Sequence, residues 1–359
     1  MQHGLSKVVP IAGRNKQLPI LGHVLVQLKE GVMNLITTDL EIGVHTVVPG
    51  KVDDEGSCTV EARRLIDYVQ QLPKSDPIQI EKKDQFLKVS TKGYQAQFPV
   101  MNDDDFPLLP SKPQGEGLSL GSSVFCDALS RTVFSAARDD TRPEIHSILL
   151  KRRNGSIVVA ATDSFRLAEE MIDVSGSQDG DDLLLPLSTA QEVIRLFPSQ
   201  EKVEMYPGDG YVVFSGDGLE LSSRLVEGKY PDYQPIIPKE YSVTGTVDKD
   251  EFMRALKTMM VFLPRDSRRV YVSVKPEKEI MEMHVGGSES GEGRVELVFE
   301  GEGGVIDILF NIQYLIEGVQ RIAGESVRVK LVGSSDPVVF GPVNNNDKYT
   351  YVVMPIQST

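Results

Sequence analysis

Three pairs made of an aromatic residue or methionine followed by proline, Phe106-Pro107, Tyr230-Pro231 and Met354-Pro355, each lie 124 residues from the next. A long fixed period restricts a chain to serial copies of one unit, provided the content repeats too. It does. A shift of 124 lays Thr38-Asp39 on Thr162-Asp163, Gly31 on Gly155, Leu5-Ser6 on Leu129-Ser130 and Arg14 on Arg138. The segment LGHVLVQLKEGVMNLITTD shares its apolar alternation with IHSILLKRRNGSIVVAATD, and VYVSVKPEKEIMEMHVGG is a third copy. RRLIDYVQQLP, STAQEVIRLFP and QYLIEGVQRIA recur as helical segments at nearly the same interval. The 359 residues therefore read as three homologous domains, 1–113, 114–238 and 239–359. The Pro-punctuated stretches PLLPSKPQGEG and PDYQPIIPKEYS serve as their connectors.

Each copy opens on a helix: SKVVPIAGR, CDALSRTVFSAARD or KDEFMRALKTMMVF. Period-2 strands follow, then a second helix, then further alternating strands. Strand-rich sequence with two helices per copy predicts an α+β fold, antiparallel sheet on one side and helices on the other. LSLGSSVF and YSVTGTV precede the first helices of copies two and three as strands, whereas copy one begins four residues before Leu5. A shortened N-terminus is expected, with an exposed sheet edge and domain one the least stable.

Catalytic signatures are missing from the chain: there is no GxxxxGK[ST], GxSxG or HExxH, and no GxGxxG after a strand. The five histidines have no metal-ligand spacing, so no metal and no cofactor is expected. Cys58 and Cys126, without a CxxC partner, read as free thiols of a cytoplasmic protein. No apolar run reaches the length of a membrane helix, and MQHGLSKVVP lacks the features of a secretory signal. Asp39 and Asp163 occupy equivalent places and invite an acid/base reading, but an Asp after Thr at a strand end more often satisfies turn N–H groups.

The cations say more. The formal charge is −14, which disfavours adhesion of the whole surface to nucleic acid. Yet Lys7 and Arg14, seven apart on the first helix, recur as Arg131 and Arg138, and copy three offers Lys257, Arg265, Arg268 and Arg269. Arg63, Arg64, Arg195 and Arg321 lie on or beside the second helices. Recurrence at matched phase in an acidic chain points to a shared positive surface for a phosphate backbone, contacted without base readout.

QLPILGHVLVQLKEG, TTDLEI, AATDSFRLAE, LVEGKYPDYQPIIP and the terminal YVVMPI together resemble the bacterial sliding clamp, the beta subunit of DNA polymerase III, over essentially the whole chain. The resemblance implies half of a head-to-tail homodimeric ring, helices lining the hole, sheets outside. It implies a non-enzymatic processivity factor that encircles duplex DNA, is opened by an ATP-driven clamp loader, and tethers the replicative polymerase and repair proteins. Partners of that family dock a hydrophobic peptide between the second and third domains. Matched motif by motif, the cleft comprises Ile145, Thr162, Ser164, Phe165, Arg166, Leu167, Pro231, Ile236, Val338, Val352, Met354, Pro355 and Ile356. Ser164-Phe165 replaces the Gly-His common in the family, and Pro235 a basic residue. Pro143-Glu144 and Ser188 replace a Tyr pair and a Lys, which shifts DNA contact toward Arg138 and Arg142. Phe106 and Leu108 of domain one are expected to meet Val261 and Phe262 of another copy's domain three, at about 1.5–3 kcal/mol per buried side chain. A scaffold that never admits DNA, and a hydrolase built on Asp39 or Asp163, are the competing readings.

Overall fold

The computed structural model describes every residue except 14–17, 177–178, 265–266, 289–290, 345–347 and 358–359. The first copy runs α1 (Gln2–Val8), β1 (His23–Lys29), β2 (Val32–Thr38), β3 (Ile42–Val48), β4 (Gly56–Glu61), α2 (Ala62–Gln71), β5 (Gln79–Lys83), β6 (Phe86–Thr91), β7 (Tyr94–Met101). The second runs β8 (Leu118–Gly121), α3 (Ser122–Thr132), β9 (Ser147–Arg153), β10 (Ser156–Thr162), β11 (Arg166–Asp173), β12 (Leu183–Pro186), α4 (Leu187–Leu196), β13 (Lys202–Pro207), β14 (Tyr211–Gly216), β15 (Leu219–Arg224). In the third, β16 (Val243–Asp248), α5 (Lys249–Met260), β17 (Arg269–Lys275), β18 (Ile280–Ser288), β19 (Gly291–Val298) and β20 (Glu300–Gly303) come first. They are followed by β21 (Ile306–Asn311), α6 (Ile312–Val319), β22 (Ser326–Leu331), β23 (Val338–Pro342) and β24 (Tyr349–Val353). Two helices per copy and antiparallel pairing throughout agree with the α+β expectation.

Local chemistry explains the helices. α2 buries Leu65, Ile66 and Val69 on one face and leaves Arg63, Arg64 and Asp67 in solvent. α5 starts where the Asp248 carboxylate accepts the Glu251 N–H at 2.8 Å, with Asp250 and Glu251 in its first turn and Lys257 in its last. Asn311 caps α6 in the same way, accepting the Gln313 N–H at 3.0 Å.

Two first helices are shorter than the sequence suggests. α1 stops at Val8 because Pro10 has no N–H to continue the ladder; the chain goes on through tight turns, Ile11 N–H to Val8 and Ala12 N–H to Val9. Lys7 lies in the last turn of α1, and Arg14, like Arg265, lies outside the described residues. α3 ends at Thr132, so Arg131 sits in its last turn while Arg138 follows in a loop.

The chain forms two compact units. One comprises Met1–Ser123 with Glu192–Leu225, the other Val124–Gln191 with Val226–Thr359. The first holds an eleven-stranded sheet in the order β5-β6-β7-β4-β1-β2-β3-β15-β14-β13-β8. Here β3 of copy one pairs antiparallel with β15 of copy two, from Ile42↔Ser223 to Leu219↔Thr46. Backbone approach is close: a Cβ on Gly43 would lie 2.3 Å from Leu109 Cδ2 and 2.8 Å from Ser222 Oγ. At the far end β5 is an edge strand with four of its five residues exposed, whereas its counterparts β13 and β22 pair with β8 and β16.

The second unit holds a nine-stranded sheet, β12-β9-β10-β11-β24-β23-β22-β16-β20, and a four-stranded one, β19-β18-β17-β21. β11 of copy two pairs with β24 of copy three, from Arg166↔Val353 to Glu170↔Tyr349. Phe252, Phe310, Phe340 and Tyr351 build the larger core, on one face of that pairing. Leu167, Val339 and Val352 lie on the other face under Tyr230 and Tyr233.

Candidate functional site

The turn joining β10 to β11 is built by its own side chains. Thr162 Oγ1 donates to the Arg166 carbonyl at 2.6 Å and accepts the Ser164 N–H at 3.1 Å. Asp163 Oδ1 accepts the Phe165 and Arg166 N–H groups, both at 3.0 Å. This forces Ser164 to φ +75° and throws Phe165 outward, 61% exposed. Copy one repeats the device: Asp39 Oδ1 accepts the Glu41 and Ile42 N–H groups, and Leu40 takes φ +80°. Both aspartates are thus engaged in turn closure, as the turn reading expects. The copies differ in what the turn displays, Phe165 where copy one has Glu41.

Beneath the turn Arg166 is buried, and it is fully engaged. Its Nε donates to Asp163 at 3.0 Å, Nη2 to the Phe134 carbonyl at 2.7 Å, and Nη1 to Glu317 on α6. The guanidinium stacks 4.5 Å from the Tyr314 ring. Burial opposes its charge, but Tyr351, Glu317 and Asp163 outweigh that, and its pKa is raised. Burial likewise opposes ionised Glu317, yet Arg166, Gln313 and Arg138 draw its pKa below the ordinary carboxylate value. Arg166 consequently supports the cleft rim from behind and offers no surface to a ligand.

The Thr162 N–H donates to the Tyr230 hydroxyl at 3.0 Å; burial pushes the pKa of that phenol up. The Met354 N–H donates to the Phe165 carbonyl at 2.8 Å, and the Ile356 N–H to the Leu309 carbonyl at 2.7 Å. These bonds tie the connector and the C-terminal segment to the turn. Leu167 and Val352, direct register partners, form a buried apolar floor with Tyr230 and Tyr233. Ile145 and Pro355 are buried, Pro231, Met354 and Ile356 half-buried, and Ile236 is 44% exposed. Ser164 accepts from Arg142 Nη1 at 3.2 Å. Val338 needs correction. It pairs with Val353 and sits in the Phe252–Phe340 core, because strand alternation sends it to the face opposite Val352. Sequence reasoning missed Tyr230, Phe134, Tyr314 and Glu317; only Tyr230 carried a signal, as a member of the repeated aromatic-Pro pairs. Along the Val352 face the sheet also opens a cavity of about 430 Å³ lined by Glu169, Gln234, Arg328, Lys330, Val339 and Lys348.

The cations divide into two groups. Arg131 is drawn into an ion pair with Glu170 at 2.9 Å and lies over the Tyr349 ring at 4.3 Å. Arg195 pairs with Glu192 at 2.6 Å and donates to the Ser6 and Lys7 carbonyls at 3.2 and 2.6 Å. Both are structural, so their assignment to a phosphate surface is withdrawn. Half-buried Lys7 lies in the last turn of α1. Arg63, Lys257 and Arg268 are exposed, and Arg64 is exposed beside Glu61 at 2.7 Å. The Arg138 side chain is 81% exposed, 3.6 Å from Glu317, and Arg142 lies 3.3 Å from Glu144. Of the expected interface residues, Leu108 and Val261 are 97% and 75% exposed, and Phe262 packs partly on the core. Phe106 is buried with Ile20 and Leu21. Both cysteines are buried, and neither is in a disulfide. Among the described residues no cluster of metal-binding side chains forms, and no helix is long and apolar enough to cross a membrane.

Residues 2–110, 119–232 and 234–357 match the family models of the DNA polymerase III beta subunit N-terminal, central and C-terminal domains. The chain is 29% identical to the beta sliding clamp of Synechococcus elongatus over 98% of its own length and 95% of that protein's. It superposes on the crystal structure of the DNA polymerase sliding clamp from Pseudomonas aeruginosa with a TM-score of 0.94 at 26% identity, covering 99% of this chain and 97% of that one. The beta subunit from the DNA polymerase of Streptococcus pyogenes, at 19% identity and a TM-score of 0.94, shares the fold.

Proposed function

The chain belongs to the DNA polymerase III beta subunit family, and from that premise we propose that it acts as a DNA sliding clamp in replication. Two copies join head to tail, each contributing domains 1–113, 114–238 and 239–359, and close around duplex DNA. One observation carries this reading. β3 of copy one pairs with β15, the last strand of copy two, and its counterpart β11 of copy two pairs with β24, the last strand of copy three. The same rule leaves β19 and β7 over. Among the described residues β19 is a sheet edge, and β7 over Tyr94–Pro99 pairs only with β6. A second chain supplies the missing partner for each, and closure removes both edges.

The chemistry is that of tethering. Arg63, Arg138, Arg142, Lys257 and Arg268 contact phosphates weakly and without base readout, so the ring translates along the duplex. Closure prevents escape, and a polymerase held on the ring re-engages its primer at high effective concentration. No step requires a catalytic residue or cofactor. The partner's peptide sits on Phe165, Leu167, Ile236, Val352 and Met354, where flexible Met354 adapts to related sequences. A clamp loader, replicative polymerase and repair proteins share this cleft.

After loading by a clamp loader, the protein is expected to stay on nicked circular DNA through a high-salt wash and to leave once the circle is linearised. Equal retention on circular and linear DNA would defeat the topological reading and favour simple adhesion.

A further inference from the structure

Each junction made inside the chain is held on its helical side by an arginine at the end of a second helix. In the first unit Arg195, on the last turn of α4, donates to the Ser6 and Lys7 carbonyls that end α1. In the second, Arg321, just past α6, donates to the Ser130 carbonyl near the end of α3 at 2.9 Å, while Arg131 Nε returns a bond to the Arg321 carbonyl at 3.2 Å. The guanidinium meets the negative end of a helix, where a cation is favoured and the last carbonyls lack intrahelical partners.

The repeat carries this contact to the junction between chains. Aligning the starts of α3 and α5, Ser122 with Lys249, lays Leu129-Ser130-Arg131, and with them Leu5-Ser6-Lys7, on Leu256-Lys257-Thr258 near the end of α5, where Lys257 and Thr258 are exposed. Aligning RRLIDYVQQLP with STAQEVIRLFP and QYLIEGVQRIA puts Gln70 at the place of Arg195 and Gln71 at that of Arg321. Both glutamines are exposed at the end of α2. No arginine stands in either position.

We infer that Gln70 and Gln71 meet the C-terminal turn of α5 of a second copy, and that this neutral contact makes the junction between chains weaker than the two within each chain. The inference rests on the ring reading above and adds to it where the ring parts. A neutral amide gives about half the hydrogen-bond strength of a guanidinium, and it gains little from the helix end. The chain thus keeps strong fork-like bonds at the junctions that must persist and withholds them at the one that must open.

The test is the dimer dissociation constant of the full chain, by sedimentation or subunit exchange, for wild type, Gln70→Arg, Gln71→Arg and, as a charge control, Gln114→Arg on the exposed connector. One or both helix variants are expected to tighten the dimer about fivefold per junction, about 25-fold for a ring with two, and to slow exchange alike. Gln114→Arg is expected to change neither. If a dimer forms but neither helix variant tightens it beyond the control, the inference fails and the ring reading stands. If wild type and variants all stay monomeric at tens of micromolar, both fail.

Discussion

Replacing Arg166 with methionine should separate a buried support from a ligand-touching residue. The substitution preserves bulk but deletes bonds to Asp163, Glu317 and the Phe134 carbonyl, and the stacking on Tyr314. Among the described residues Glu317 keeps Gln313, at 2.7 Å, and exposed Arg138, at 3.6 Å. Removing one member of a buried ion pair costs about 3–5 kcal/mol, because the remaining charge stays desolvated. In a unit of roughly 200 residues each kcal/mol moves the midpoint by about 2–4 °C, so calorimetry should show a loss of about 6–20 °C. Arg166→Lys should fall between, retaining charge without the fork. A drop of less than about 2 °C for Arg166→Met would refute the claim that this network supports the rim. Peptide affinity should weaken in parallel, since Phe165 and the turn rest on the same bonds.

Phe165→Ala should raise the peptide Kd about tenfold with little change in melting, because the ring is largely exposed in the free protein; isothermal titration beside a thermal scan checks both. Glu317 has a lowered pKa when folded, so its stabilisation is present above its ordinary value of 4.5 and is lost as pH falls through the folded value; the gap between wild type and Glu317→Gln should therefore close below about pH 4.5 in urea titrations. Gly43→Ala should cost about 1–3 kcal/mol at the β3·β15 pairing, read from the same titrations, because Leu109 and Ser222 occupy the space of a Cβ. Reversing Arg63, Arg138, Lys257 and Arg268 to Glu together should abolish retention on circular DNA and leave peptide binding intact, as measured on one preparation.

The period of 124 was legible because it is marked by proline, which tolerates few backbone settings, and by strand alternation, which is a local property. The Thr-Asp turn was legible for the same reason, since the four bonds that close it lie within five residues. What failed was non-local. Arg131 looked like a surface cation because Glu170 and Tyr349, which withdraw it, lie 39 and 218 residues away. Arg195 looked exposed because its acceptors lie 188 and 189 residues back. Val338 failed on parity alone: one residue along a strand exchanges the two faces of the sheet. Helix length failed at Pro10, where the repeat invited a longer helix than the missing N–H allows.

The withdrawal of cations also bears on how an acidic chain can hold DNA at all. Of 38 Lys and Arg, two that the repeat singled out for the phosphate surface, Arg131 and Arg195, are committed to carboxylates or carbonyls. Of the cations assigned to DNA, exposed Arg63, Arg138, Arg142, Lys257 and Arg268 are left for phosphates, and the affinity that such contacts supply falls as salt rises. An open form of this protein should therefore release DNA readily at physiological ionic strength. Retention has to come from closure, and closure comes from strand edges that only a second chain can pair. Weak attraction and a strong enclosure are the same design viewed from two sides: more surface arginine would hold the duplex in place and stop it sliding. Adding exposed cations beside Arg138 should accordingly prolong binding to linear DNA while slowing diffusion of the loaded ring, which single-molecule tracking on a tethered duplex can measure. Longer binding with undiminished diffusion would show that sliding here does not depend on weak phosphate contact.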